Sequence, residues 1–154
     1  MPKHLLKVPH HKQQKESDCL AACAAMLMTA QDIHLPYPQL LTVLDVTPWG
    51  TPHRNFRLLA EHIPHIQVTY RQGSLADLFQ AIDQGHPVVV FVWTGELPYW
   101  QIETGHAVVI VGYDQHYFYL NDPAFDEAPQ IVTHGDLDLA WIAYDTHYAL
   151  VEII

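Results

Sequence analysis

"PVVVFVWTGELPYWQIETGHAVVIVGYDQHYFYLND", residues 87–122, decides the fold. It contains three β-branched and aromatic runs, "PVVVFVW", "GHAVVIVGYD" and "HYFYLND", bounded by Gly, Asn and Asp as strands are. The short link "YDQH" suits two adjacent antiparallel strands. His106 opens the middle run and Asp122 closes the last, 122 − 106 = 16 residues on, a natural hairpin length that sets the two ends side by side.

Working outward, "IQVTY" (66–70) predicts a short strand, and "SLADLFQAIDQG" (74–85) a helix opened by Ser and closed by Gly. Beyond the hairpin, "THGDLDLAWIAY" (133–144) predicts a helix and "HYALVEII" (147–154) a final strand. Toward the start, Asp18 is an N-cap for a helix running to about residue 30, with Leu20, Cys23, Ala24 and Leu27 on one face. Two more helices are predicted at "QLLTVLD" (39–45) and "NFRLLAEHI" (55–63), separated by the turn "TPWGTP". Residues 1–17 form a polar arm rich in His and Lys. Helices first and strands second indicate an α+β fold, a helical half packed on an antiparallel sheet. With no repeat, low-complexity tract or linker, residues 1–154 are expected to form one domain.

Seven basic residues against 17 acidic ones give a formal charge of −10. That argues against nucleic acid, which calls for a basic footprint. If all 12 histidines were protonated, −10 + 12 would bring the charge to about +2, so charge depends strongly on pH near the ordinary histidine range. No apolar run approaches the roughly 18 residues of a membrane span, and the start "MPKHLLKVPHHK" lacks the apolar stretch of a signal peptide. The expected location is the cytoplasm, with Cys19 and Cys23 as free thiols.

Chemistry is carried by "QQKESDCLAACAAML", residues 13–27. A cysteine at the first turn of an apolar helix is placed where free backbone N–H groups favour the thiolate. Cys19 then needs a base and a group to orient it. His106 and Asp122 fit those roles, with Asn121 as the rival orienter. The backbone N–H of Cys19 and the side-chain amide of Gln13, six residues upstream, are candidate oxyanion donors; Gln14 is the neighbour that only spacing sets aside. Cys23, one turn in, reads as core.

These residues together resemble the papain-like peptidases that process bacteriocin precursors, the double-glycine leader peptidases. Their pattern of Gln, then Asp-Cys-Gly six residues on, is matched by "QQKESDCLAAC"; their strand-opening His by "GHAVVIVGY"; their Asp-Pro by "NDPA". "WGT" and the closing "GDLDLAWIAYDTHYALVEII" also look like theirs, so the resemblance spans nearly the whole chain. It implies peptide-bond cleavage by a Cys–His–Asp mechanism, with Cys19 as nucleophile, His106 as base and then acid, Asp122 as orienter and Gln13 as oxyanion donor. It also implies a leader peptide cut after a pair of small residues. Leu20 departs from the family's Gly after the cysteine, and a side chain facing the channel there would narrow it. The family's exporters add a membrane region and an ATPase; this chain has no GxxxxGK[ST] loop, so a separate exporter or precursor peptide is the expected partner.

Tyr99 and Trp100, in the loop before His106, read equally as core cover or as a wall of the substrate cleft. The remaining histidines lack HExxH or CxxC spacing, so no metal or other cofactor is expected and they read as solvated surface residues. Two rival functions use the same residues: an amidase or acyl transferase, which differs only in what attacks the thioester, and a peptide-binding module that has lost turnover.

Overall fold

The computed structural model describes residues 3–154. The elements, in order, are β1 (His4–Leu5), α1 (Cys19–Ala30), α2 (Tyr37–Val43), α3 (Leu59–His62), β2 (Ile66–Gln72), α4 (Leu75–Asp83), β3 (Val88–Trp93), β4 (Gly105–Tyr113), β5 (Tyr117–Asn121), β6 (Gln130–Thr133), α5 (His134–Ile142) and β7 (His147–Ile153). Short 3-10 turns at Glu16–Asp18, His53–Leu58 and Thr94–Glu96 lead into α1, α3 and the β3–β4 loop. Every strand pairing is antiparallel, in the order β2-β7-β3-β4-β5-β6, with β1 pairing to the far end of β4.

The expected α+β architecture is present, with one difference in layering. The sheet is covered on both faces. Val89, Phe91, Ala107, Val109 and Val151 face α1, α2 and α3, while Val90, Val108, Ile110, Phe118 and Leu120 face α4 and α5. Successive side chains of a strand point to opposite faces, so central strands with two covered faces must be apolar throughout. That is why "VVVFVW" does not alternate. β2 joins the sheet from the helical half, and β1 and β6, which the sequence reading left as arm and loop, add its short outer pieces.

α1 is the core of the helical layer. Leu20–Ala24 and Met26–Met28 are all buried, so the helix is enclosed on nearly every side rather than along one stripe. Each of its large apolar side chains contributes about 1.5–3 kcal/mol by burial. Asp18 stands at the N-cap position, but its carboxylate does not bond the helix N–H groups. It accepts instead from the backbone N–H of Lys15 (3.3 Å) and the hydroxyl of Tyr37 (3.3 Å), and so ties the entry turn to α2. Ser74 and Thr133 do cap their helices, accepting from the backbone N–H groups of Asp77 and Asp136.

Candidate active site

The site forms where the head of α1 meets the ends of β4 and β5. Cys19 is the first residue of α1 and half-buried. His106 is the second residue of β4, and the strand alternation puts it on the face of Val108 and Ile110. The turn at 114–117 is built by Asp114, whose carboxylate accepts from the backbone N–H groups of His116 (3.0 Å) and Tyr117 (2.9 Å). The hairpin is bulged, since Ile110 pairs with Leu120 but Gly112 with Tyr119. Carried on from Val109 and Asn121, the register sets Asp122 beside Val108, so it reaches His106 diagonally rather than directly across.

The imidazole Nε2 of His106 lies 2.7 Å from Asp122 Oδ1, with both side chains buried. The carboxylate is otherwise filled by donors. Tyr99 Oη (2.7 Å) and Trp100 Nε1 (2.8 Å) both donate to Oδ2, and the backbone N–H of Ala124 (2.9 Å) donates to Oδ1. Burial alone would raise the Asp122 pKa; hydrogen bonds from His106, Tyr99 and Ala124 outweigh it and hold the carboxylate below its usual range. For His106, burial works to lower the pKa, but hydrogen bonds to Asp122 and to Cys19, with both charges, push it up to about 9. With Nε2 committed to Asp122, Nδ1 is the ring nitrogen left for the thiol. Asn121 is not the partner of His106; its amide donates to the Val8 carbonyl (3.2 Å) and holds the arm.

Gln13 is fixed through its backbone, whose N–H donates to Pro123 O (2.8 Å). Its side-chain Oε1 is buried without a hydrogen-bond partner. Gln13 and Gln14 both line a cavity of about 440 Å³ with His106 and Trp100, but Gln14 is exposed where Gln13 is half-buried. A second cavity, of about 360 Å³, holds Cys19 with Trp49, Gly50, Thr51 and His53. The "WGT" stretch therefore forms a wall beside the thiol. His53 stacks on Phe91 at 4.1 Å, and burial, helped by His147, pushes its pKa down to about 4. This ring is neutral at pH 7 and is not the solvated surface histidine the sequence suggested. Among the described residues, no group of three His, Cys, Asp or Glu is placed to hold a metal ion.

Two sequence expectations are corrected by the structure. Leu20 does not face the cleft. It is 1% exposed and packs in the core between α1 and the sheet, because the residue after the helix-opening cysteine turns inward. Tyr99 lines neither cavity; its hydroxyl is committed to Asp122 and its ring meets Phe125 edge-on at 5.2 Å. Trp100 combines both readings, lining the cavity while its N–H holds Asp122. Sequence reasoning passed over Thr94, buried at the end of β3, whose Oγ1 donates to Ile102 O (2.6 Å) and accepts from Thr104 N–H (2.8 Å). A single polar residue ending an apolar strand was its only signal.

The two thiols differ in surroundings. Cys23 is fully buried, and burial, followed by Cys19 and Asp122, drives its pKa well above the ordinary thiol range. Iodoacetamide on the native protein should modify Cys19 and leave Cys23 untouched. Peptide mapping that finds Cys23 labelled at a comparable rate would contradict this geometry. A second expectation concerns pH. His106 carries its proton up to about 9, so labelling or turnover that uses a thiolate–imidazolium pair falls above that pH. Because folding raises this pKa, the protonated ring stabilises the fold fully below the ordinary histidine value, and the contribution is lost as pH climbs through 9. A profile that already declines at pH ~6.5, the ordinary histidine value, would contradict the Asp122 contact.

The model of the Peptidase_C39 like family matches residues 5–148. No curated protein matches the chain. Among solved structures, a C39-like peptidase from Bacillus anthracis is 18% identical, covers 100% of this chain and 99% of its own, and superposes with a TM-score of 0.84. A double-glycine motif protease from an AMS/PCAT transporter, solved in complex with the leader peptide, is 18% identical with coverage of 97% and 94% and a TM-score of 0.74. The peptidase domain of Streptococcus ComA, a bifunctional ABC transporter of a quorum sensing pathway, is 14% identical with coverage of 96% and 100% and a TM-score of 0.76. At these identities the structures speak for the fold, whereas the family model speaks for descent. The chain belongs to the Peptidase_C39 like family and is a cysteine peptidase.

Proposed function

We propose that residues 1–154 act as one peptidase domain that cleaves a leader peptide through a thioester on Cys19. The observation that carries this reading is the 2.7 Å contact between His106 and Asp122, with Cys19 contributing to the basicity of the same imidazole. The thiolate of Cys19 attacks the scissile carbonyl carbon. The developing oxyanion accepts from the Gln13 amide and the Cys19 backbone N–H, donors that act most strongly in a site shielded from water. His106 gives its proton to the leaving nitrogen as the C–N bond breaks, then takes one from the water that opens the thioester. Asp122 keeps the ring oriented throughout.

The substrate assignment rests on likeness to the double-glycine protease and ComA domains. Gly50 and Gly105 both line the Cys19 cavity; the space over Gly50 is open beside the thiol, whereas that at Gly105 is filled by the Tyr144 hydroxyl. With Leu20 in the core, a channel restricted to small residues has to come from the other walls of this cavity, Trp49 and His53 among them. Among the described residues no helix is long and apolar enough to cross a membrane. On the leader-peptide reading the domain works on the cytoplasmic side, with an exporter as its partner. The test is kcat/KM for peptides that vary the two residues before the bond. Gly-Gly and Gly-Ala should exceed Leu-Leu and Phe-Phe by about tenfold to a hundredfold, the range a rigid pocket imposes on misfitting side chains. Equal cleavage of all four would remove the leader-peptide assignment.

A further inference from the structure

The leader assignment concerns the residues before the scissile bond; the His106 cavity bears on the residues after it. The two cavities meet at Glu16, Thr104 and Gly105. In acyl transfer the acyl carbon ends on Sγ, while the leaving nitrogen takes its proton from the imidazole. The acyl segment thus lies over the Cys19 cavity and the leaving segment over the His106 cavity.

The His106 cavity has an apolar wall. Ile102 is 69% exposed, and it lines this cavity together with Trp100. Exposed aliphatic side chains are ordinary when scattered singly. This one sits in a cavity beside an indole that is itself held rigid. Trp100 Nε1 is bound to Asp122 at 2.8 Å, and the ring meets Phe125 and His106 edge-on at 5.2 and 4.8 Å. The loop is clamped at its base, where the Thr94 N–H donates to Thr104 O (2.9 Å) and Thr94 Oγ1 to Ile102 O (2.6 Å). The wall is formed before substrate arrives, which spares the ordering cost of binding.

Charge does not decide the occupant. Lys12 and Lys15 line the cavity, but Lys12 is paired with Asp126 at 3.1 Å and Glu16 lies on the same rim. Exposed pairs of this kind contribute little, whereas burying an aliphatic side chain against Trp100 and Ile102 removes apolar surface from water on both partners. From this juxtaposition we propose that the cavity beside His106 is a subsite for an aliphatic or aromatic side chain on the leaving segment, walled by Trp100 and Ile102. It rests on the peptidase reading. An occupant would also cover the indole edge that holds Asp122, keeping water from the His106–Asp122 contact.

The test measures the subsite from the acceptor side. The aminomethylcoumarin amide of benzyloxycarbonyl-Gly-Gly acylates the enzyme, and the thioester is then offered Gly-amide, Leu-amide, Phe-amide or Asp-amide in water. The amine nitrogen attacks the thioester carbonyl, the C–N bond forms as the C–S bond breaks, and His106 takes the amine proton. The quantity read is the ratio of transfer product to hydrolysis product. Leu-amide and Phe-amide should intercept about tenfold better than Gly-amide or Asp-amide. Ile102→Ser should narrow that preference to about threefold or less, while Ile131→Ser, an exposed change on β6, should leave it as it is. Indifference among the acceptors, or an unchanged preference in Ile102→Ser, overturns the subsite alone. Coumarin release that fails or does not depend on Cys19 overturns the peptidase reading and the subsite with it.

Discussion

Cys19→Ala should abolish peptide cleavage, by about four orders of magnitude or more in kcat, and leave the fold intact. The two halves of this result have separate physical causes. In the proposed mechanism the thiol forms the acyl intermediate, so what survives is orientation and oxyanion stabilisation without a nucleophile. The side chain is half-buried at a helix start, and exchanging it for Ala, a strong helix former, costs within about 1 kcal/mol. A denaturant melt should therefore overlay on the wild type while turnover disappears. The same variant should lose all native-state labelling by iodoacetamide, because Cys23 stays enclosed. Cleavage persisting within tenfold of wild type would show that another residue attacks the bond.

Asp122→Asn should lower kcat by about a thousandfold or more. The carboxylate accepts from four donors and donates to none. An amide of the same shape must turn its NH2 toward two of them. Facing Tyr99 and Trp100, it opposes two donors. Facing His106, it requires Nε2 to accept, which places the ring proton on Nδ1 against the thiol and removes the base. Either way one or two buried donors lose their acceptor, and the fold should lose about 1–3 kcal/mol for each. Wild-type KM with the depressed kcat would mark the loss as one of orientation. A variant retaining a tenth or more of wild-type kcat would show that His106 needs no carboxylate here.

Much of this arrangement was legible in the sequence. His106 and Asp122 bracket a hairpin whose strands and turn residues are plain, and Cys19 opens a helix with Gln13 upstream. What escaped reading depended on the third dimension. Leu20 comes directly after the cysteine in sequence, but a helix turns by ~100° per residue, enough to move its neighbour from cleft to core. Tyr99 carries an apolar ring and a polar tip, and sequence does not tell which end a loop presents. Trp100 uses both ends, which is why neither simple reading was complete. β1 is only two residues long and is made by pairing with a distant strand, so no local pattern announces it. The two-sided burial of β3 and β4 was written in their uniform apolarity. It was missed because "SLADLFQAIDQG" and "THGDLDLAWIAY" were read as helices without being assigned a face of the sheet.

The strand order β2-β7-β3 has a consequence for synthesis. β7, residues 147–153, lies between two strands made long before it, and Gln13 is tied to Pro123 across more than a hundred residues of chain. While the chain emerges from the ribosome, β2 has no partner and the sheet is split. At about 5–20 residues per second, seconds separate the appearance of the thiol from that of the strand that closes the sheet. The nascent chain thus holds a cysteine at the head of a helix whose supporting sheet is still unfinished. Closure of the sheet therefore comes last, after translation of the domain is nearly complete.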